Sequence, residues 1–245
     1  MKILLCASKT PDTTTKINFT ADKKSLDNTG VQFILNPNDD HGLAGAMDLK
    51  EKHNAQLTVI HVGDMSVEPI LRRCLAIGAD EAILVNTPPT DAYYVAMQIA
   101  EAVRNENFDL VICGRESIDF NGNEVGDMLG EALGIPSVAY VGGIVIDGNT
   151  ATLNRFIDGG MENLKVNLPL VITATKELAE PRIANMRGIM QSRAKTIKTL
   201  EPAAIDHLTE LVELEPPVKK SGVVLIDIAE AGKLMDILHE KEKLI

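Results

Sequence analysis

The sequence predicts an α/β fold: a doubly wound, mostly parallel sheet with an antiparallel hairpin extension and a C-terminal arm. Two observations support this prediction. In the first half of the chain, short apolar runs of buried-strand type alternate with helix-like segments, the pattern of parallel strands joined by right-handed crossovers. After residue 136, shorter strand-like segments are separated by glycine-containing turns, which indicates antiparallel hairpins.

The parallel half starts with an apolar strand over residues 2–7. Asn36 and Pro37 then predict a helix start, because asparagine is a preferred cap and proline suits the first helical position. The helix pattern continues to about His53. Further strand and helix pairs follow, with strands predicted at residues 56–62, 81–85 and 109–113.

The hairpin extension is predicted from strand-like residues 139–147, 150–156 and 163–166, with turns at 147–149 and 158–160. Residues 168–175 form a further apolar strand that returns to the sheet.

Helical and strand periodicity then disappears from residue 180 to residue 221, where prolines interrupt the chain. A short strand over 223–226 and a helix over 228–238 are predicted at the end. The organisation is therefore an α/β domain (1–180), a loop and linker (181–222) and a terminal strand and helix (223–245).

Composition excludes several classes of protein. Of 245 residues, 45% are hydrophobic and 24% charged, which is typical of a globular chain. With 24 basic and 35 acidic residues, the net charge of −11 disfavours nucleic-acid binding. No apolar run is long enough to span a bilayer. The three cysteines are widely spaced, which indicates reduced thiols and a cytoplasmic protein.

The familiar catalytic motifs are missing from the sequence. We find no nucleophile elbow, no P-loop, no HExxH, no paired CxxC and no clean GxGxxG after the first strand. The five histidines are scattered, with no neighbour at metal-ligand spacing. The sequence therefore predicts no catalytic residue and no metal site, and it disfavours a hydrolase or a metalloenzyme.

A ligand site is predicted where the parallel strands end, since ligands of open α/β sheets bind at the carboxyl ends of the strands. Four segments fall there: residues 7–9, 36–39, 61–63 and 114–126. The last is polar, contains glycine and runs into a helix, so the N–H groups of Asn123, Glu124 and Val125 would face a phosphate. An ordinary capped loop between a strand and a helix explains the same residues, and on spacing alone it is the favoured interpretation.

A basic segment over residues 182–200, called the arm below, stands out in this acidic chain. It carries five positive charges and no acidic residue, and methionines and isoleucines lie between the charges. One interpretation is a solvated loop that offsets the acidic body. The other is a surface for docking partners, because flexible methionine-containing surfaces suit several partners.

Taken in order, these segments resemble the β subunit of the electron-transfer flavoproteins over nearly the whole chain. Each matching piece is weak alone, but the ordered set is specific. The pieces are residues 9–12, 36–39, 75–82, 113–119, 155–162, 168–173, 180–182 and 188–190.

The resemblance implies a Rossmann-like, adenine-nucleotide-binding fold and a heterodimer with an α subunit that holds most of an FAD. The β subunit would catalyse no reaction, bind a structural AMP and cover one side of the FAD site. It would carry electrons from flavin dehydrogenases, such as acyl-CoA dehydrogenases of fatty acid oxidation, towards a quinone reductase of the membrane, without entering the membrane itself.

Two sets of residues carry over from the family. The nucleotide-binding set is Ala7, Asn36, Pro37, Asn38, Asp39, Val62, Gly114, Asp119, Asn123, Glu124 and Val125. The set that docks partners is Met186, Arg187, Arg193 and Lys195, with Met186 as the apolar anchor, where the family usually has leucine. The helix over 228–238, together with the rest of residues 223–245, would pack on the α subunit.

This chain departs from the family pattern in its phosphate loop. Glu124 and Val125 stand where glutamine and threonine are frequent, and Phe156 stands where a glutamate is common. Some family members bind a second FAD at the β-subunit site and bifurcate electrons; the turn at 158–160 resembles the other branch, which favours AMP. A stand-alone nucleotide-binding protein of the stress-protein type and a small NAD-linked enzyme are the rival interpretations.

Overall fold

The computed structural model describes residues 1–218 and 222–244. The chain divides into two compact units. The first consists of residues 1–17 and 27–212, and the second of residues 18–26 with the C-terminal segment from residue 213. Residues 219–221 of the predicted linker, and Ile245, lie outside the described residues.

The first unit is built on a large central sheet. Its strands, with those of a small two-stranded sheet (β2 and β3), are β1 (Lys2–Cys6), β2 (Lys9–Pro11), β3 (Phe33–Leu35), β4 (Gln56–Gly63), β5 (Glu81–Asn86), β6 (Leu110–Gly114), β7 (Ser137–Asp147), β8 (Thr150–Ile157), β9 (Gly160–Asn167), β10 (Leu170–Ala174) and β11 (Ile197–Leu200). The described strands of the central sheet follow the order β11-β5-β4-β1-β6-β10-β7-β8-β9.

The central sheet is parallel from β11 to β7 and antiparallel from β7 to β9. The strand order reverses at β1, which has β4 on one side and β6 on the other. The predicted parallel sheet, the hairpin extension and the return of residues 168–175 to the sheet are therefore confirmed.

The helices are α1 (Pro37–His53), α2 (Glu68–Ile77), α3 (Ala92–Val103), α4 (Val125–Leu133), α5 (Met186–Ala194) and α6 (Gly232–Asp236). Short 3-10 turns cover Met65–Val67 and Ile228–Glu230, and a π turn covers Ile237–Lys241. No helix in the described part of the chain is both long enough and apolar enough to cross a membrane.

Both faces of the sheet are covered by helices, as the alternation of side chains along β1 shows. Ile3 and Leu5 pack into one apolar cluster and Leu4 and Cys6 into another. The first cluster includes side chains of α1 and α2, and the second includes side chains of α3 and α4. This arrangement is the doubly wound architecture.

The arm is more regular than the sequence predicts, since it contains α5 and β11. Helix α5 packs on α2, and Gly188 lies so close to α2 that a Cβ atom there would be 2.1 Å from the carbonyl oxygen of Ala76. Strand β11 pairs in parallel with β5. These two elements are short and held by tertiary contacts, so local periodicity gave no signal for them.

The second unit joins residues 18–26 to the C-terminal segment. Phe19 and Leu26 form an isolated antiparallel bridge. The carbonyl oxygen of Lys23 accepts a hydrogen bond from the backbone N–H of Leu214 (2.9 Å), and the Lys23 ammonium pairs with Glu213 and Glu215.

The end of the chain differs from the prediction in two ways. The described residues 223–226 form no strand, because no neighbouring strand pairs with them. The helix predicted over 228–238 is divided into the 3-10 turn, α6 and the start of the π turn. Its apolar residues Ile228, Leu234 and Met235 are exposed.

Candidate functional site

The side chain of Asp39 joins two strand ends at the point where the strand order reverses. Asp39 lies in the first turn of α1 and is only 2% exposed. Its carboxylate accepts hydrogen bonds from the backbone N–H of Ser8 (2.6 Å), just after β1, and of Gly114 (2.9 Å), at the end of β6. The carboxyl ends of β1 and β6 are therefore held beside the start of α1.

Burial has two consequences for this carboxyl group. It raises the pKa of Asp39 to about 7, although the hydrogen bonds from Ser8, Asn36 and Gly114 lower it. It also leaves no room at Gly114, where a Cβ atom would lie 2.1 Å from the Asp39 carboxylate. Only glycine fits at this end of β6.

Asn36 and Asn38 connect the start of α1 to the loop after β6. Asn36 occupies the predicted cap position, but its side chain does not cap the helix. Its Nδ2 donates to the carbonyl oxygen of Glu116 (2.8 Å), and its Oδ1 accepts from the N–H of Ile118 (3.3 Å). Asn38 donates to the same Glu116 oxygen (3.0 Å). The two asparagines thus fix the path of the loop.

His61 supports the end of β1 from the neighbouring strand. Its ring is 5% exposed, and Nδ1–H donates to the carbonyl oxygen of Ala7 (2.7 Å). Burial lowers the pKa of His61 to about 4, so the ring is neutral at physiological pH. The predicted site residue Val62 is buried in the apolar cluster between the sheet and α3 and α4.

The loop after β6 leads into α4, which begins at Val125. The first N–H groups of a helix have no acceptor inside the helix and attract anions. Gly126 lies against strand β10, where a Cβ atom would be 2.4 Å from Cγ2 of Thr173. Glu124 and Asp119, both predicted to bind the nucleotide, are exposed to solvent.

Two side-chain contacts at this loop were not predicted from the sequence. The hydroxyl of Tyr140, on β7, accepts a hydrogen bond from Nδ2 of Asn123 (2.9 Å). The guanidinium of Arg115 lies over the Tyr140 ring, 5.7 Å from its centre. No local signal marks them, since Tyr140 reads as an ordinary strand residue. The structure therefore joins residues 36–39 to Ser8 and to the loop after β6, His61 to Ala7, and Tyr140 to the loop.

Comparison with known proteins identifies the family. Residues 24–205 match the family model described as the electron transfer flavoprotein domain. The chain belongs to the electron transfer flavoprotein family.

Its relatives are the β subunits of this family. The chain is similar to the electron transfer flavoprotein subunit beta of Bacillus subtilis (strain 168), with 33% identity over 239 residues, covering 96% of this chain and 91% of that one. The subunit beta of Syntrophomonas wolfei is 34% identical over 248 residues, covering 99% and 98%. The mitochondrial subunit beta of Arabidopsis thaliana is 33% identical over 252 residues, covering 98% and 99%. The family implies an α subunit as the partner in a heterodimer.

The arm, which is the candidate docking surface of this family member, is fixed to the body on one side. Arg182 pairs with Asp48 and Glu51 of α1. Lys195, predicted to steer partners, is half-buried instead; its ammonium donates to the carbonyl oxygen of Ala79, and desolvation lowers its pKa.

The outer side of the arm carries the remaining candidates. Met186, the first residue of α5, is 73% exposed. Met190, Arg187 and Arg193 are exposed as well. The structure therefore presents Met186 with two arginines to solvent, and it separates Lys195 from them.

Neither the histidines nor the cysteines form a metal site in the described part of the chain. Within residues 1–218 and 222–244, no group of three His, Cys, Asp or Glu side chains could hold a metal ion. Cys6, Cys74 and Cys113 are free and buried, and burial raises the pKa of Cys74 to about 12.

Proposed function

We propose that this chain is the β subunit of a heterodimeric electron-transfer flavoprotein that carries electrons from flavin dehydrogenases towards a quinone reductase of the membrane. It acts in the cytoplasm and catalyses no reaction by itself. The bound FAD, held mainly by the α subunit, supplies the redox chemistry. The residues of this chain bind a structural AMP, orient the loops around it and cover one side of the FAD site.

One observation carries the proposal for AMP: the end of β1, the start of α1 and the loop after β6 are joined by hydrogen bonds at the reversal of strand order. Asn36, Asn38 and Asp39 bond to the end of β6 and its loop, and Asp39 also accepts from Ser8, just after β1. Open α/β sheets bind nucleotides at this position.

The residues present also fit such a ligand. Oδ1 of Asn123, at the end of the loop, is buried and has no hydrogen-bond partner among the described residues, as expected of a side chain that binds a ligand. Both Asp39 oxygens accept hydrogen bonds from backbone N–H groups, so neither oxygen is left without a donor. Glu124 is exposed and can turn to solvent. Its carboxylate therefore does not exclude a phosphate at the start of α4.

The proposal assigns two surfaces to protein partners. Residues 223–245 pack on the α subunit, since Ile228, Leu234 and Met235 are exposed and a short apolar helix is stable only when its face is covered. The outer side of the arm docks the flavin dehydrogenases through Met186, with Arg187 and Arg193 nearby.

The experiment that tests the proposal is co-expression of this chain with its α subunit, followed by acid release and chromatography of the bound nucleotides. We expect a yellow heterodimer that releases one FAD and one AMP per complex. Two FAD per complex would indicate a bifurcating subunit. A colourless monomer that does not bind the α subunit would overturn the proposal. If such a monomer bound ATP or another nucleotide, it would indicate a stand-alone nucleotide-binding protein.

A further inference from the structure

Tyr140 has a backbone conformation that is unusual for an aromatic residue in a strand. Its φ is +61°, in the left-handed region, where the Cβ of an L-residue approaches the following carbonyl oxygen. The pairing of β7 with β10 shifts register here, because three steps from Val138 to Val141 oppose two steps from Ile172 to Ala174. Such strain persists only where surrounding contacts hold it, and it concentrates at functional sites.

Tyr140 is held by one contact with β10 and by two contacts with the loop after β6. Its backbone N–H donates to Oγ1 of Thr173 (3.0 Å), the residue against which Gly126 is packed. Its hydroxyl accepts from Nδ2 of Asn123, at the end of the loop, and its ring lies under the guanidinium of Arg115, at the beginning. One side chain from β7 therefore contacts both ends of the loop.

Nδ2 of the Asn123 side-chain amide is hydrogen-bonded to Tyr140, whereas Oδ1 has no partner among the described residues. Asn123 itself has a positive φ of +53°, and its Oδ1 is buried without a partner in the described residues. A tyrosine hydroxyl can accept or donate a hydrogen bond. The hydrogen bond between Tyr140 and Asn123 is therefore kept if the side-chain amide rotates by 180°. After this rotation, Oδ1 accepts from the hydroxyl, and Nδ2 becomes the group without a partner.

We propose that Tyr140 is a positioning residue of the nucleotide site: it holds Asn123 so that the free end of the amide donates a hydrogen bond to the phosphate group of the nucleotide. The assignment rests on the AMP site proposed above. It places the phosphate at the end of the loop, next to the N-terminus of α4. The contact between Arg115 and the Tyr140 ring holds the beginning of the loop close to the same tyrosine.

The test uses the full chain in complex with its α subunit and measures binding of AMP and of adenosine by equilibrium dialysis. Tyr140→Phe keeps the ring and removes only the hydroxyl. Losing one hydrogen bond to a ligand-binding group is expected to raise the Kd for AMP about 5- to 10-fold. The Kd for adenosine, which has no phosphate, should change less than about 2-fold. Tyr93→Phe on α3 is the matched control, since it makes the same chemical change away from the loop.

A double variant separates positioning from general destabilisation. If Tyr140 acts through Asn123, Asn123→Ala combined with Tyr140→Phe should weaken AMP binding no more than Asn123→Ala alone. Unchanged AMP binding in Tyr140→Phe, equal losses for AMP and adenosine, or additive losses in the double variant would each overturn the assignment. A wild-type complex that binds neither compound would overturn the nucleotide site itself, and the assignment with it.

Discussion

A hydrogen bond of 2.9 Å joins the Asp39 carboxylate to the backbone N–H of Gly114, although 75 positions separate the two residues. Through its other oxygen, the same carboxylate holds Ser8. The residue before Ser8 is Ala7, whose carbonyl accepts from His61. Two buried ionisable side chains therefore hold adjacent residues at the end of β1. Burial raises the pKa of Asp39 and lowers that of His61, so both shifts favour the neutral form.

The wild-type protein should lose stability as the pH rises towards the pKa of Asp39, and Asp39→Asn should remove this loss. The folded-state pKa of about 7 lies above the ordinary 3.8, so Asp39 contributes stability that is full below about pH 4 and is lost as the pH rises to about 7. Relative to wild type, the free energy of unfolding of the variant should rise across this window by up to about 4 kcal/mol. Urea unfolding at several pH values measures it. A constant difference between the two proteins would contradict the prediction.

His61→Gln should have the opposite pH dependence. Because the folded-state pKa of about 4 lies below the ordinary 6.5, His61 contributes stability that is full above about pH 6.5 and is lost as the pH falls to about 4. Glutamine can still donate to Ala7. The variant should therefore gain stability relative to wild type as the pH falls, by up to about 3 kcal/mol in the same urea series. Parallel profiles for His61→Gln and Asp39→Asn would show that at least one of the two assignments is wrong.

Gly126→Ala should displace the start of α4. The new Cβ would lie 2.4 Å from Cγ2 of Thr173, whose Oγ1 is held by the N–H of Tyr140, so the side chain cannot rotate away freely. We expect a loss of about 1–3 kcal/mol in the free energy of unfolding and a lower AMP content in the purified complex. Gly122→Ala, in the same loop, is the control, because its Cβ would lie 3.5 Å from the nearest atom, a side-chain oxygen of Glu124. Full AMP content in Gly126→Ala would place the phosphate elsewhere.

Met186→Ala should weaken docking of a flavin dehydrogenase without affecting the fold, because the side chain is exposed. An anchor that fills a pocket on its partner contributes about 2 kcal/mol or more, so the apparent KM for the carrier should rise about 30-fold or more. Dehydrogenase-coupled flavin reduction against carrier concentration measures it, with FAD content, AMP content and Tm unchanged.

Reversing a charge in the arm should have a different effect in the same dehydrogenase-coupled assay. Arg193→Glu should alter mainly the salt dependence of the rate, since exposed charges steer association. Lys195→Glu should lower the Tm instead, because it breaks the hydrogen bond to Ala79. Wild-type kinetics in Met186→Ala at both low and high salt would show that Met186 does not anchor a dehydrogenase.

Leu234→Glu combined with Met235→Glu should weaken the heterodimer while leaving this chain folded. Both side chains are about half exposed, so the change removes little internal packing. Sedimentation of the mixed subunits should show dissociation at concentrations at which wild type is dimeric, and the circular dichroism of the isolated chain should stay the same. Lys233→Glu with Lys241→Glu, which also adds negative charge to the C-terminal segment, tests whether charge alone is responsible. An intact heterodimer in the first variant would show that this surface does not contact the α subunit.

Much of the fold, and the convergence of the segments that form the candidate site, were predictable from the sequence. Apolar runs such as residues 2–7 and 109–113 form buried parallel strands whichever helices cover them. Since parallel strands end at one edge, the convergence of residues 36–39 with 114–126 followed from topology.

Other features depend on contacts that have no local pattern. The predicted cap Asn36 bonds to Glu116 because the loop after β6 offers a carbonyl at that position, and nothing near residue 36 encodes it. Residues 223–226 have strand propensity but pair with no described strand, and propensity alone does not make a strand. Tyr140 depends on a register shift between two strands that lie far apart in the sequence.

The attachment of α5 to the body has a consequence for how this family member can change its partners. The contacts that hold α5 and the residue after it use main-chain oxygens: Gly188 lies against the Ala76 carbonyl, Arg72 donates to those of Ser192 and Lys195, and Lys195 donates to that of Ala79. Carbonyl oxygens stay in place when outward side chains are replaced. Substitutions of the outer side chains of α5 therefore leave these contacts intact, so the surface proposed to dock redox partners can diverge while the helix keeps its position.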